Sequence, residues 1–71
     1  MSIEHFCSPK ELGPKLAQLG VPELTTRACR ELISDMKEHG MPTMLGKTVR
    51  PSDAYAFLSA RPKWTPFGRK Q

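Results

Sequence analysis

The chain has 71 residues with 38% hydrophobic and 25% charged side chains, enough for one small domain and too apolar for wholesale disorder. A chain of this length buries only about 60% of the surface its unfolded form exposes, which disfavours a walled catalytic cleft and favours a working surface. The net charge is +4, and it is unevenly placed. Met1 to Gly46 carries Lys10, Lys15, Arg27, Arg30 and Lys37 against six acids, whereas Lys47 to Gln71 carries Lys47, Arg50, Arg61, Lys63, Arg69 and Lys70 against Asp53 alone. A basic C-terminal third of this kind acts as one field on a polyanion such as nucleic acid.

Two cysteines, Cys7 and Cys29, do not make the disulfide framework of a tiny secreted domain. No apolar run approaches the roughly 20 residues that span a bilayer, and the start Met1-Ser2-Ile3-Glu4-His5 lacks the basic and apolar segments of a signal peptide. These features lead to the expectation of a cytoplasmic protein with reduced thiols and no membrane partner.

In chain order, Ser8-Pro9-Lys10-Glu11 reads as a capping box with proline at the first helical position. Leu12, Leu16 and Leu19 follow as one apolar stripe. Pro14 cannot donate to the Lys10 carbonyl, so the spacing predicts a short first turn, a break near Gly13 and helix again from Pro14 to a Gly20 cap. Thr25 or Thr26 then caps a second helix running to about His39, ended by Gly40 and Pro42. Its pattern separates an apolar face (Ala28, Cys29, Leu32, Ile33, Met36), a basic stripe (Arg27, Arg30, Ser34, Lys37) and an acidic flank (Glu31, Asp35, Glu38).

Residues 43–50 read as a hairpin with a basic tip, in which Gly46 and Lys47 form a type II′ turn and Pro51 ends the second strand. Ser52 or Asp53 is expected to cap a third helix to about Ala60, with Ala54, Phe57 and Leu58 facing the core. The expectation is therefore a mainly α fold with a small β-hairpin, a winged helix-turn-helix over residues 1–61. Residues 62–71 read as a flexible basic and aromatic tail.

In that architecture the second helix enters the major groove of double-stranded DNA, which admits one α-helix, and the hairpin tip reaches the neighbouring backbone or minor groove. Thr26, Arg27, Arg30, Ser34 and Lys37 would face DNA, with Lys47 and Arg50 as wing contacts. The residue pattern does not separate base contacts of the two arginines from phosphate contacts, and a solvated helix face is the plainer alternative, with Glu31 pairing Arg27 across one turn.

The run 30–33, the ending His39-Gly40-Met41-Pro42 and the stretch Leu45-Gly46-Lys47-Thr48-Val49-Arg50-Pro51-Ser52-Asp53-Ala54-Tyr55-Ala56-Phe57-Leu58 resemble the excisionase-type members of the MerR-like winged-helix superfamily. Their pattern is a recognition helix ending in Gly-x-Pro, a strand, an Ile-Gly-Lys/Arg turn, a strand ending in Arg, and a Ser-Asp-capped helix ending in Phe-Leu. The Gly40-Met41-Pro42 ending also resembles the small terminase subunit of lambdoid phages. The likeness covers about residues 8–60 and departs from the pattern in a longer first segment containing Pro14 and a second helix about one turn longer.

The resemblance implies a phage or mobile-element excisionase (a recombination directionality factor). Such proteins bind attachment-site DNA cooperatively, bend it and bias an integrase toward excision, and some also repress promoters. It implies no catalysis and no cofactor, and work at the nucleoid of a bacterial or phage-infected cell. The alternatives are a small transcriptional regulator or packaging-type DNA recogniser of the same fold, or a protein-interaction module (an inhibitor or antirepressor). The last would use Met36, Met41, Met44 and Leu45 with the tail; Trp64, Phe67 and Arg69 are the tail's candidate partner contacts, an integrase included.

No metal site is expected: His5, Cys7, Cys29 and His39 lack the paired spacing of a zinc site. Cys7 with His5 has no third group to orient a nucleophile. Gly46-Lys47-Thr48 lacks the upstream glycine of a phosphate-binding loop.

Overall fold

The computed structural model describes residues 5–65. Three helices, α1 (Pro9–Gln18), α2 (Thr26–Glu38) and α3 (Pro51–Ala60), take up just over half of the described residues. They enclose one core of Leu12 and Leu16 from α1, Cys29, Leu32, Ile33 and Met36 from α2, and Ala54 and Phe57 from α3, closed by Cys7 and Val49. Among the described residues no polar or charged side chain is buried, so hydrophobic burial, about 1.5–3 kcal/mol for each large aliphatic side chain, holds the three helices together.

The helix ends follow the sequence closely. Ser8 is the N-cap of α1 and Pro9 its first residue, but the expected capping box does not form. The Ser8 carbonyl already accepts the amides of Glu11 (3.0 Å) and Leu12 (2.9 Å), so the amide the box would use is taken, and the Ser8 side chain makes no cap bond. Both α1 and α2 end in a left-handed residue, Gly20 at φ +98° and Gly40 at φ +80°. Val21 N–H donates to Leu16 O (3.0 Å) and Met41 N–H to Met36 O (2.9 Å), the six-residue closure that lets glycine stop a helix without stranding carbonyls. Val21 and Met41 then pack against the core. Thr25 caps α2, its hydroxyl accepting from Ala28 N–H at 3.1 Å.

Four further expectations are corrected. First, α1 is unbroken, with Pro14 inside it. The residue before a proline is normally excluded from helix by its Cβ, and Gly13 has none. A Cβ there would also meet Leu24 O at 2.6 Å, so the same glycine lets the α1–α2 connector close onto α1. Pro14 and Lys10 are exposed, so the Lys10 carbonyl to which Pro14 cannot donate lies at the surface, within reach of water. Secondly, Leu19 is not a core residue; the helix has ended by then and its side chain is 45% exposed.

Thirdly, no strand forms among the described residues. Where the hairpin was expected, a single antiparallel bridge joins Met44 and Thr48, and the turn centres on Leu45 and Gly46, not on Gly46 and Lys47. Leu45 (φ +57°) and Gly46 (φ +66°) both carry positive φ, and Lys47 N–H donates to Met44 O at 3.1 Å. A second bridge joins Cys7 to Val49 through reciprocal bonds of 2.7 and 3.2 Å. This anchors the returning arm of the turn to the segment before α1. Fourthly, Pro51 begins α3 instead of ending a strand, and Arg50, not Ser52 or Asp53, is the N-cap. Proline at the first helical position lacks only an amide that has no intrahelical partner.

Candidate nucleic-acid interface

The exposed side of α2, the N-terminal end of α1 and the Leu45–Thr48 turn meet along an open groove of about 760 Å³. Its lining includes Lys10 from α1, Arg30 and Lys37 from α2 and Lys47 from the turn, and no acidic residue. Thr26, Ser34, Ser8 and Thr48 supply hydroxyls around them. Four cations thus come from three elements, while the acids of α2 lie elsewhere on the helix.

Local folding explains the convergence. The buried face of α2, with Cys29, Leu32 and Met36 fully enclosed, fixes the rotation of the helix and turns Thr26, Arg30, Ser34 and Lys37 outward. The Schellman closure at Gly40 reverses the chain, so residues 44–48 lie back alongside the end of α2. A Cβ on Gly46 would stand 3.1 Å from Lys37 Nζ, which places the ammonium group against the turn backbone. Lys10 reaches the groove because α1 packs across α2; Lys10 carries no sequence signal beyond its charge.

Five of the seven residues expected to face DNA (Thr26, Arg30, Ser34, Lys37 and Lys47) line this groove. Arg27 is exposed beside Thr26 but is not part of the lining. Arg50 is half-buried and turned to other work: its Nε lies 3.0 Å from Asp53 Oδ2, and its guanidinium sits 5.4 Å from the centre of the Phe6 ring. The ion pair spans the first turn of α3 and clamps its N-cap.

Of the methionine-rich set, Met36 is buried and Met41 packs on the core, leaving Met44 and Leu45 exposed at the turn, 51% and 88% respectively. Trp64 packs against the core and its Nε1–H donates to Asp35 Oδ2 at 2.6 Å. Phe67 and Arg69 lie outside the described residues. Cys7 and Cys29 are both buried and neither is in a disulfide, and burial raises the Cys29 pKa above the ordinary thiol value. No protein family, characterised protein or solved structure matches the chain.

Proposed function

We propose that this is a double-stranded DNA-binding protein with sequence preference, built as a winged helix-turn-helix in which the Met44–Thr48 turn is a reduced wing. Within that class, the sequence resemblance favours an excisionase that bends attachment-site DNA and biases an integrase, working as cooperative neighbours and without catalysis of its own. The observation that carries the DNA-binding reading is the groove in which Lys10, Arg30, Lys37 and Lys47 converge with no acid among them.

A duplex presents a ridge of sugar and phosphate between its two grooves. With α2 in the major groove and the turn at the minor groove, that ridge would run through the space between them. The four cations and the hydroxyls of Thr26 and Ser34 would then meet phosphate oxygens and base edges. For the protein-interaction alternative, Met36 and Met41 are committed to the core, and Met44 and Leu45 are what remains exposed of that apolar set.

The test is a mobility-shift titration of the full chain on its flanking genomic DNA and on an unrelated duplex, at two salt concentrations. Binding that releases counterions should weaken steeply with salt, by a log–log slope of about −0.9 per phosphate neutralised, and should favour the native DNA. Absence of any shift at low salt refutes the proposal. An excision assay with an integrase, where one is encoded beside this chain, then separates an excisionase from a regulator or packaging protein of the same fold.

A further inference from the structure

Phosphate binding leaves Leu45 unexplained. It is the most exposed large hydrophobic residue of the described chain, at 88%, and it is not among the residues packed on the core. Its backbone sits at φ +57°, a region that glycine and asparagine enter readily and leucine does not. The fold therefore holds an apolar side chain outward at the tip of a tight turn, against its own backbone preference. Leu45 also shares the groove's rim with Lys10, Arg30, Lys37 and Lys47, and its neighbour Met44 is half exposed.

An apolar point ringed by cations fits a partner that is anionic outside and apolar between its stacked layers. We propose, resting on the DNA-binding reading above, that Leu45 is a wedge that enters the minor groove and inserts between adjacent base pairs. The chain reverses between Met44 and Thr48, so one apolar side chain leads at the tip and only it need enter between the base pairs. Lys47 beside it would hold the flanking phosphate.

Apolar side chains inserted in this way partially unstack a base step and kink the duplex by roughly 20–90°. Pyrimidine–purine steps such as TA and CA unstack most easily. The wedge would therefore supply both the bend and a preference for a flexible step opposite the wing, without a hydrogen bond to any base.

The test uses the full chain and a short duplex carrying 2-aminopurine at a central TA step and a fluorophore at each end. The wild-type protein should brighten the 2-aminopurine as the step unstacks and shorten the end-to-end distance. Leu45→Asn, a side chain more at ease at positive φ, keeps the turn foldable. At concentrations of this variant that saturate the duplex, brightening and bend should both disappear, while the complex that forms stays salt-sensitive. Lys47→Ala should do the reverse, lowering affinity while the saturated complex stays bent. If Leu45→Asn binds, bends and unstacks DNA as the wild type does, the wedge is wrong and the DNA-binding reading stands. If the wild type binds no duplex in a salt-sensitive way, that reading falls and the wedge with it.

Discussion

Replacing Gly13 with alanine sets two well-defined effects against each other. Alanine in place of glycine inside a helix ordinarily stabilises by roughly 0.5–1 kcal/mol, because the unfolded chain has less freedom to lose. In this fold, however, the new Cβ would stand 2.6 Å from the backbone oxygen of Leu24, closer than unbonded carbon and oxygen can approach. The obstacle is a main-chain atom of the α1–α2 connector, so it cannot rotate away as a side chain would. Relief requires moving α1 off α2, and overpacking of that kind costs about 1–3 kcal/mol. Pro14 adds to the penalty, since a Cβ before proline disfavours helix.

Taken at mid-range, an overpacking cost of about 2 kcal/mol outweighs a helix gain of about 0.75 kcal/mol, and Gly13→Ala should destabilise by about 1 kcal/mol, more where Pro14 adds to the penalty. Urea denaturation followed by circular dichroism reads this as a lower midpoint at an unchanged slope. In a thermal scan the melting temperature should fall by roughly 4–8 °C per kcal/mol for a chain of this size. Gly20→Ala is the control: nothing lies within 4 Å of its Cβ position, and its φ of +98° leaves only the left-handed backbone cost of about 1–2 kcal/mol. A Gly13→Ala protein as stable as the wild type, or more so, would refute the close approach of the connector.

Other substitutions test separate joints. Thr25→Ala removes the side-chain acceptor for Ala28 N–H and should cost about 0.5–2 kcal/mol in the same assay. Trp64→Phe keeps an aromatic ring on the core but loses the bond to Asp35. A loss of about 1 kcal/mol is expected, and because Trp64 is the chain's one tryptophan, its fluorescence in the wild type should report the unfolding transition directly. Arg30→Ala should weaken specific DNA binding by about 1–3 kcal/mol if the arginine reads a base, whereas Lys47→Ala should weaken all sequences alike and reduce the salt slope by about 1. The raised pKa of buried Cys29 means that the unfolded chain releases the thiol proton at lower pH than the folded one. Stability should therefore be unaffected by this group below the ordinary thiol range and fall as pH rises through it, and alkylation of Cys29 should proceed only as fast as the protein opens.

What the sequence made legible divides by the range of the interaction responsible. Pro9, Thr25, Gly20 and Gly40 mark helix ends through bonds to residues within one or two turns, and all four stand where local chemistry puts them. The faces of α2 were equally readable, since Ala28, Cys29, Leu32, Ile33 and Met36 repeat with the helical period and all are buried. Pro14 and Pro51 misled because a proline has two local meanings. It breaks a helix unless a preceding glycine and an exposed carbonyl accommodate it, and the end of an extended segment is also a permitted first residue of a helix.

The turn register was out of local reach. Nothing in leucine asks for φ +57°; the position of Leu45 follows from the Schellman closure at Gly40 on one side and from the Cys7–Val49 bridge on the other. That bridge joins residues 42 positions apart, and a single paired residue leaves no periodic trace. The candidate site shows the same division. Arg30, Ser34 and Lys37 could be placed on one face from helical spacing alone. Lys10 joins them only because α1 crosses α2, and Arg50 stays outside the groove lining because Asp53, three residues on, holds its guanidinium at 3.0 Å. A basic residue count therefore locates the charge of this chain only to within a segment, and it is the packing of α1 and the turn against α2 that gathers four of those charges into one groove.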